Sequence, residues 1–93
     1  TADAAIESLL ALARKNPAFA DAVESLGMMY YKCFRLDQAI AWTEKLCVLR
    51  PDYAMARTNL SVFYMKKGMK ERAEEEKAKA TVLNFQKPKD TPK

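Results

Sequence analysis

The residue types that could carry out catalysis are few in this sequence, and they do not form a catalytic set. The 93 residues include no histidine, so the commonest general base and the Ser-His and Cys-His dyads are missing. Glu74, Glu75 and Glu76 follow one another and would point in different directions on a helix, so they do not make a paired acid and base. The chain has only two glycines, too few for a glycine-rich phosphate-binding loop. We therefore expect no catalytic activity, no cofactor and no metal site.

The two cysteines, Cys33 and Cys47, lie fourteen positions apart and form no CxxC pair. Both fall in helical stretches, where a free cysteine behaves as a small apolar residue. We expect free, partly buried thiols in a reducing compartment, the cytoplasm, with a disulfide or a reactive thiol as the alternative. The sequence contains no run of eighteen apolar residues, so no transmembrane helix is expected.

The positive charge is concentrated towards the C-terminus. The formal net charge is +4; residues 1–65 carry seven basic and seven acidic side chains, whereas residues 66–93 carry nine basic and five acidic ones. Such a segment could bind nucleic acid, an acidic lipid surface or an acidic partner, or could be a solvated helix face followed by a tail. Nucleic acid is the least favoured, because acidic residues interrupt the basic ones and Phe85 is the only aromatic residue among them.

The elements that must position these side chains are helices, because apolar residues recur at spacings of three and four throughout the chain. Pro17 and Pro51 each follow a helical stretch and mark its end. The short connections make consecutive helices antiparallel neighbours. The predicted helices cover residues 3–15, 19–33, 37–50, 53–67 and 70–86.

An internal repeat of 34 residues is the most informative feature of the sequence. Small residues recur at this spacing, and they would let two antiparallel helices approach closely. Larger apolar residues also recur and would fill the space between the helices of each pair. The clearest matches are Ala5 with Ala39 and Ala73, Pro17 with Pro51, Leu26 with Leu60, Gly27 with Ser61, Tyr30 with Tyr64 and Leu49 with Leu83.

On these residues the chain resembles the tetratricopeptide repeat family, whose unit is a 34-residue helix–turn–helix. The resemblance implies an all-α fold of antiparallel helix pairs, stacked as a short right-handed α-solenoid of about two and a half units. It covers residues 1–87: a half unit at 1–19, a full unit at 20–53, and a second at 54–87 that ends in a polar capping helix. Residues 88–93 are expected to form a disordered tail. The motif residues are Leu26-Gly27, Tyr30, Ala39 and Pro51 in the first full unit, and Leu60, Ser61, Tyr64, Gly68, Ala73 and Ala80 in the second.

The resemblance also implies a function, because the first helix of each such unit lines a concave groove. The chain would then be a scaffold that binds a peptide or helix of a partner protein, as part of a larger protein. Methionine suits an irregular apolar ligand, but the same methionines could instead pack between neighbouring helices. The implied groove residues are Asp21, Glu24, Ser25, Met28, Tyr31 and Lys32, followed by Met55, Thr58, Asn59, Val62, Met65 and Lys66.

Two departures from a regular stack lead to further expectations. The aromatic position of the second helix falls on Thr43, with Trp42 one residue early. The first predicted helix carries a wide apolar stripe that one neighbouring helix could only partly cover. We therefore expect either a fragment of a longer protein or self-association, for example as a homodimer, through Ile6, Leu9, Leu10 and Ala13, with a monomer that tolerates the exposed stripe as the alternative. A third hypothesis is weak binding of acidic partners by the basic C-terminal part.

Overall fold

A computed structural model describes residues 1–86, which form five α-helices and no strand. The predicted all-α fold is confirmed, and each predicted helix begins and ends within about one residue of the observed one. The predicted tail at 88–93 lies outside the described residues. The helices are α1 (Ala2–Lys15), α2 (Ala20–Lys32), α3 (Leu36–Leu49), α4 (Ala54–Lys66) and α5 (Lys70–Gln86).

The helices pack in chain order as antiparallel neighbours: α1 on α2, α2 on α3, α3 on α4, and α4 on α5. The described part of the chain measures 43 × 31 × 19 Å, as expected for helix pairs stacked side by side. The arrangement is a short α-solenoid in which α2–α3 and α4–α5 are the two complete pairs. No helix within residues 1–86 is long and apolar enough to cross a membrane.

The turn inside each pair has the same hydrogen bonds. After α2, the N–H of Phe34 donates to the carbonyl of Tyr31 and that of Arg35 to the carbonyl of Tyr30, both at 2.9 Å. After α4, Gly68 donates to Met65 at 3.0 Å and Met69 to Tyr64 at 2.8 Å. This is the Schellman arrangement, which places one residue after the helix in the left-handed region. That residue is Phe34 in the first turn, with φ of 61°, and Gly68 in the second, with φ of 85°.

The close approach of α2 and α3 depends on a residue without a side chain. A Cβ atom added to Gly27 would stand 2.5 Å from Oγ1 of Thr43 and 3.6 Å from the carbonyl oxygen of Ala39. Thr43 is buried against Gly27, and Trp42 lies half-buried beside it.

The core runs continuously through the stack and combines small side chains with leucines and large aromatic side chains. Ala39, Ala56 and Ala73 are fully buried where helices meet, and Phe63 is the largest fully buried side chain. The expected use of small residues at the crossing positions is therefore confirmed for Ala39 and Ala73. The remaining core side chains include Ile6, Val23, Leu26, Tyr30, Leu46, Leu60 and Tyr64.

Candidate helix-binding site

The contacts between α2 and α4 show how one helix pair receives the next. The two helices run parallel, because contacts advance along both in the same direction. The Tyr53 hydroxyl donates to Oε2 of Glu24 at 2.7 Å, Nδ2 of Asn59 lies 3.9 Å from Sδ of Met28, and the rings of Tyr31 and Phe63 stack with centroids 4.7 Å apart.

Three of the six groove residues predicted on α2 take part in packing. Glu24, Met28 and Tyr31 are half-buried and contact α4 or Tyr53, the residue that precedes it. The alternative interpretation, that methionines pack between helices, applies to Met28. Asn59 is half-buried, and its side-chain amide lies against Met28 and is only partly exposed to solvent. The other α2 groove residues are exposed: Asp21, Ser25 and Lys32.

The corresponding positions on the second pair are open. A shift of 34 residues carries Glu24, Met28 and Tyr31 to Thr58, Val62 and Met65, all of which are exposed. They line a depression of about 320 Å³ between α4 and α5. We call this surface the helix seat and define it by its lining residues Thr58, Ser61, Val62, Met65, Lys66, Glu74 and Lys77.

The helix seat is apolar along its floor and charged at its margin. Val62 is 40% exposed and Met65 is 44% exposed, so both present apolar surface to solvent. Lys66 and Lys77 supply positive charge, and Glu74 supplies one negative charge. Met55 continues the apolar surface towards the start of α4. A surface of this composition suits an amphipathic helix whose apolar face meets the methionine and valine side chains.

A buried carboxylate links α4 and α5, the two helices that form the helix seat. Glu76 of α5 is 1% exposed, and its carboxylate accepts from Nη1 of Arg57 at 2.9 Å and from Nζ of Lys79 at 3.3 Å. Nη2 of Arg72 lies 3.8 Å away and also reaches the hydroxyl of Tyr64 at 2.9 Å. Several of the C-terminal charges are thus used inside the fold, which leaves fewer of them for an acidic partner.

Neither Tyr64 nor Cys47 has the environment of a reactive group. Burial raises the pKa of Tyr64, and its hydrogen bond to Glu44 acts in the same direction, while the bond from Arg72 opposes both. Burial also raises the pKa of the Cys47 thiol, so that thiol is less readily ionised than usual. Both cysteines are free. Among the described residues, no cluster of three or more cysteines and carboxylates could hold a metal ion.

Most of the residues predicted for self-association are covered by other helices of the same chain. Ile6 and Ala13 are buried, and Leu9 and Leu10 are half-buried against the core. The large apolar side chain of α1 that remains exposed is Leu12, at 45%. Self-association stays a prediction, and a substitution of the exposed Leu12 would test it.

Two features of the structure were not predicted from the sequence. The first is the burial of Glu76 among three basic side chains from α4 and α5. Phe34 was not singled out, although the 34-residue register aligns it with Gly68 and so contained the signal for an unusual turn residue.

The fold is similar to that of solved MamA structures. One of them has a TM-score of 0.91 and 30% sequence identity, over 95% of this chain and 52% of that chain. A second has a TM-score of 0.90 and 28% identity, over 99% of this chain and 50% of that one. A third has a TM-score of 0.87 and 26% identity, over 90% and 48%. This chain therefore spans about half the length of the MamA chains it matches. No protein-family model and no curated protein sequence matches it.

Proposed function

We propose that this chain is a segment of a tetratricopeptide repeat protein, and that it acts without catalysis as a scaffold for protein binding. The 34-residue register, the repeated turns and the small residues at the helix crossings support this assignment. The similarity to MamA supports the same helical-repeat fold. The proposal includes a cytoplasmic location, and the two free cysteines are its only support.

The ligand in this proposal is a helical segment of a partner protein, bound in the helix seat. The observation that carries it is the apolar surface at Thr58, Val62 and Met65, because the equivalent positions on α2 pack against α4; a further helix of the same longer protein is the competing occupant of this surface. A helix bound there would use the packing that the chain already uses internally. An apolar stripe at spacings of three and four would cover Val62 and Met65, and acidic flanks would meet Lys66 and Lys77.

Charge introduced on the floor of the seat tests this proposal. We expect the double variant Val62→Glu/Met65→Glu to lose capture of the native partner in affinity purification with crosslinking, because two carboxylates would be desolvated by the bound helix. Both positions are exposed, so the free energy of unfolding should change by no more than about 0.5 kcal/mol.

A matched control lies outside the seat. Val48 on α3 is 77% exposed, and Val48→Glu should retain the partner. Crosslinks from the partner should map to α4 and α5. Equal capture by the seat variant and the control would show that partners bind elsewhere on the chain.

A further inference from the structure

The backbone at Phe34 is one that glycine adopts most easily. Its φ of 61° lies in the left-handed region, and the equivalent position in the next turn is Gly68. The Cβ atom of a non-glycine residue in that region crowds the carbonyl oxygen that follows, which makes this conformation unfavourable. The phenylalanine therefore makes this turn less stable than a glycine would.

The ring of Phe34 contributes little to the stability of the fold. It is 86% exposed, whereas the neighbouring Cys33 and Leu36 are half-buried. A side chain with so much exposed apolar surface contributes little packing energy. An apolar ring held in solvent on a strained turn points to a role in binding rather than in folding.

Several basic side chains lie on the same edge of the molecule as this ring. Because α2 and α4 run parallel, the turns that follow them lie at the same edge, and an ion pair between Lys67 and Asp37 joins the two turns. We call residues 32–37 and 66–71 the turn edge. It has two acidic side chains, Asp37 and Glu71, and Asp3 lies in the first turn of α1 at the same edge. Its five basic side chains are Lys32, Arg35, Lys66, Lys67 and Lys70.

We propose that the turn edge binds the surface of an anionic lipid bilayer, with the ring of Phe34 inserted among the headgroups. The edge consists of the projecting ends of two helix pairs, and a deformable headgroup layer can receive an aromatic ring on a tight turn. Basic side chains on both turns then face lipid phosphates and carboxylates, which attract them electrostatically. One ring and a few charges give weak and reversible binding. Met69, 39% exposed on the second turn, adds a smaller apolar contact.

Co-sedimentation of the full chain with lipid vesicles tests the proposal. We expect sedimentation with vesicles of phosphatidylcholine mixed with phosphatidylserine, no sedimentation with phosphatidylcholine alone, and release by salt. Phe34→Gly should weaken binding about tenfold, a change of about 1.4 kcal/mol, because it removes the inserted ring. Glycine fits the observed φ, so this variant should fold and should be more stable than the wild type, which separates lost binding from lost structure.

Matched controls lie at the opposite edge. Phe85, 83% exposed near the end of α5, offers a second exposed ring, and Phe85→Ala should leave vesicle binding unchanged. Arg35→Glu/Lys70→Glu should abolish binding, whereas Arg14→Glu/Lys15→Glu at the end of α1 should reduce it only slightly.

Three results would overturn the proposal. The first is equal sedimentation with both vesicle types. The second is a Phe34→Gly variant that binds as tightly as Phe85→Ala. The third is binding of a polyglutamate peptide to the turn edge without any binding to phosphatidylserine vesicles, which would identify an acidic protein segment as the ligand.

Discussion

The contact between Gly27 and Thr43 sets how closely α2 and α3 approach. Alanine normally stabilises a helix interior by about 1 kcal/mol relative to glycine. Here its methyl group would collide with Oγ1 of the buried Thr43, which costs roughly 1–3 kcal/mol when a packed core has to adjust. We therefore expect Gly27→Ala to lower the free energy of unfolding by about 1 kcal/mol in urea denaturation.

The same substitution should have the opposite sign once the hydroxyl group is removed. In a Thr43→Ala background the nearest remaining atom is the carbonyl oxygen of Ala39 at 3.6 Å, an ordinary contact. Gly27→Ala should then stabilise the protein through helix propensity alone. A double-mutant cycle with no coupling between the two positions would contradict the proposed collision.

The hydroxyl of Tyr64 links pH to stability. Its pKa is raised in the folded chain, first by burial and then by donation to Glu44, whose oxygen lies 2.6 Å away. A group that binds its proton more tightly when folded contributes stability that is complete below its unfolded pKa, about 10, and is lost as the pH rises through the higher folded value. We expect thermal stability to fall above about pH 10, and the fall to be shallower in Tyr64→Phe.

At the scale of helices, the ends could be predicted because they depend on local chemistry. Pro17 and Pro51 follow α1 and α3, and each is the second residue of the same kind of turn, in which Phe19 donates to Asn16 at 3.0 Å and Tyr53 to Arg50 at 3.1 Å. The 34-residue register then gave the antiparallel pairing, since small residues recur where helices cross. The residues that support these predictions lie either within a few positions of one another or one 34-residue repeat apart.

The candidate site could be predicted only in part, because burial depends on which helix lies opposite. Met28 and Val62 have the same place in the register, yet Met28 faces Asn59 of α4 whereas Val62 faces solvent. The 34-residue register predicts both as groove residues, because it does not show which of the two has another helix opposite it. Glu76 was missed for a related reason, since its pairing with Arg57 joins residues 19 positions apart on different helices.

The Glu76 carboxylate should contribute much more to stability than its neighbour does. Glu76→Ala would leave Arg57, which is largely buried, without its partner, so we expect a loss of about 3 kcal/mol in the free energy of unfolding. Glu75→Ala removes an exposed pair with Arg72 and should cost no more than about 0.5 kcal/mol. Chemical denaturation of the two variants makes the comparison, and equal losses would mean that burial of Glu76 has no energetic consequence.

At the scale of the whole molecule, the two proposed binding surfaces lie in different places and use different chemistry. The helix seat runs along the face of α4 and α5, and the turn edge occupies the ends of both helix pairs. Val62 lies about one helical turn before Lys66, the residue that the two surfaces share. A partner helix in the seat therefore leaves Phe34 and Arg35 free to meet a lipid surface.

This arrangement predicts that the two activities can be lost separately. Val62→Glu should impair capture of the partner while phosphatidylserine vesicles still sediment the chain, because Phe34 and the other turn-edge residues are unaltered. Phe34→Gly should have the reverse effect, because the seat residues are unchanged. Wild-type chain should carry its captured partner onto vesicles, and neither single variant should do so. Loss of both activities in either variant would indicate one shared surface instead of two, with Lys66 at its centre.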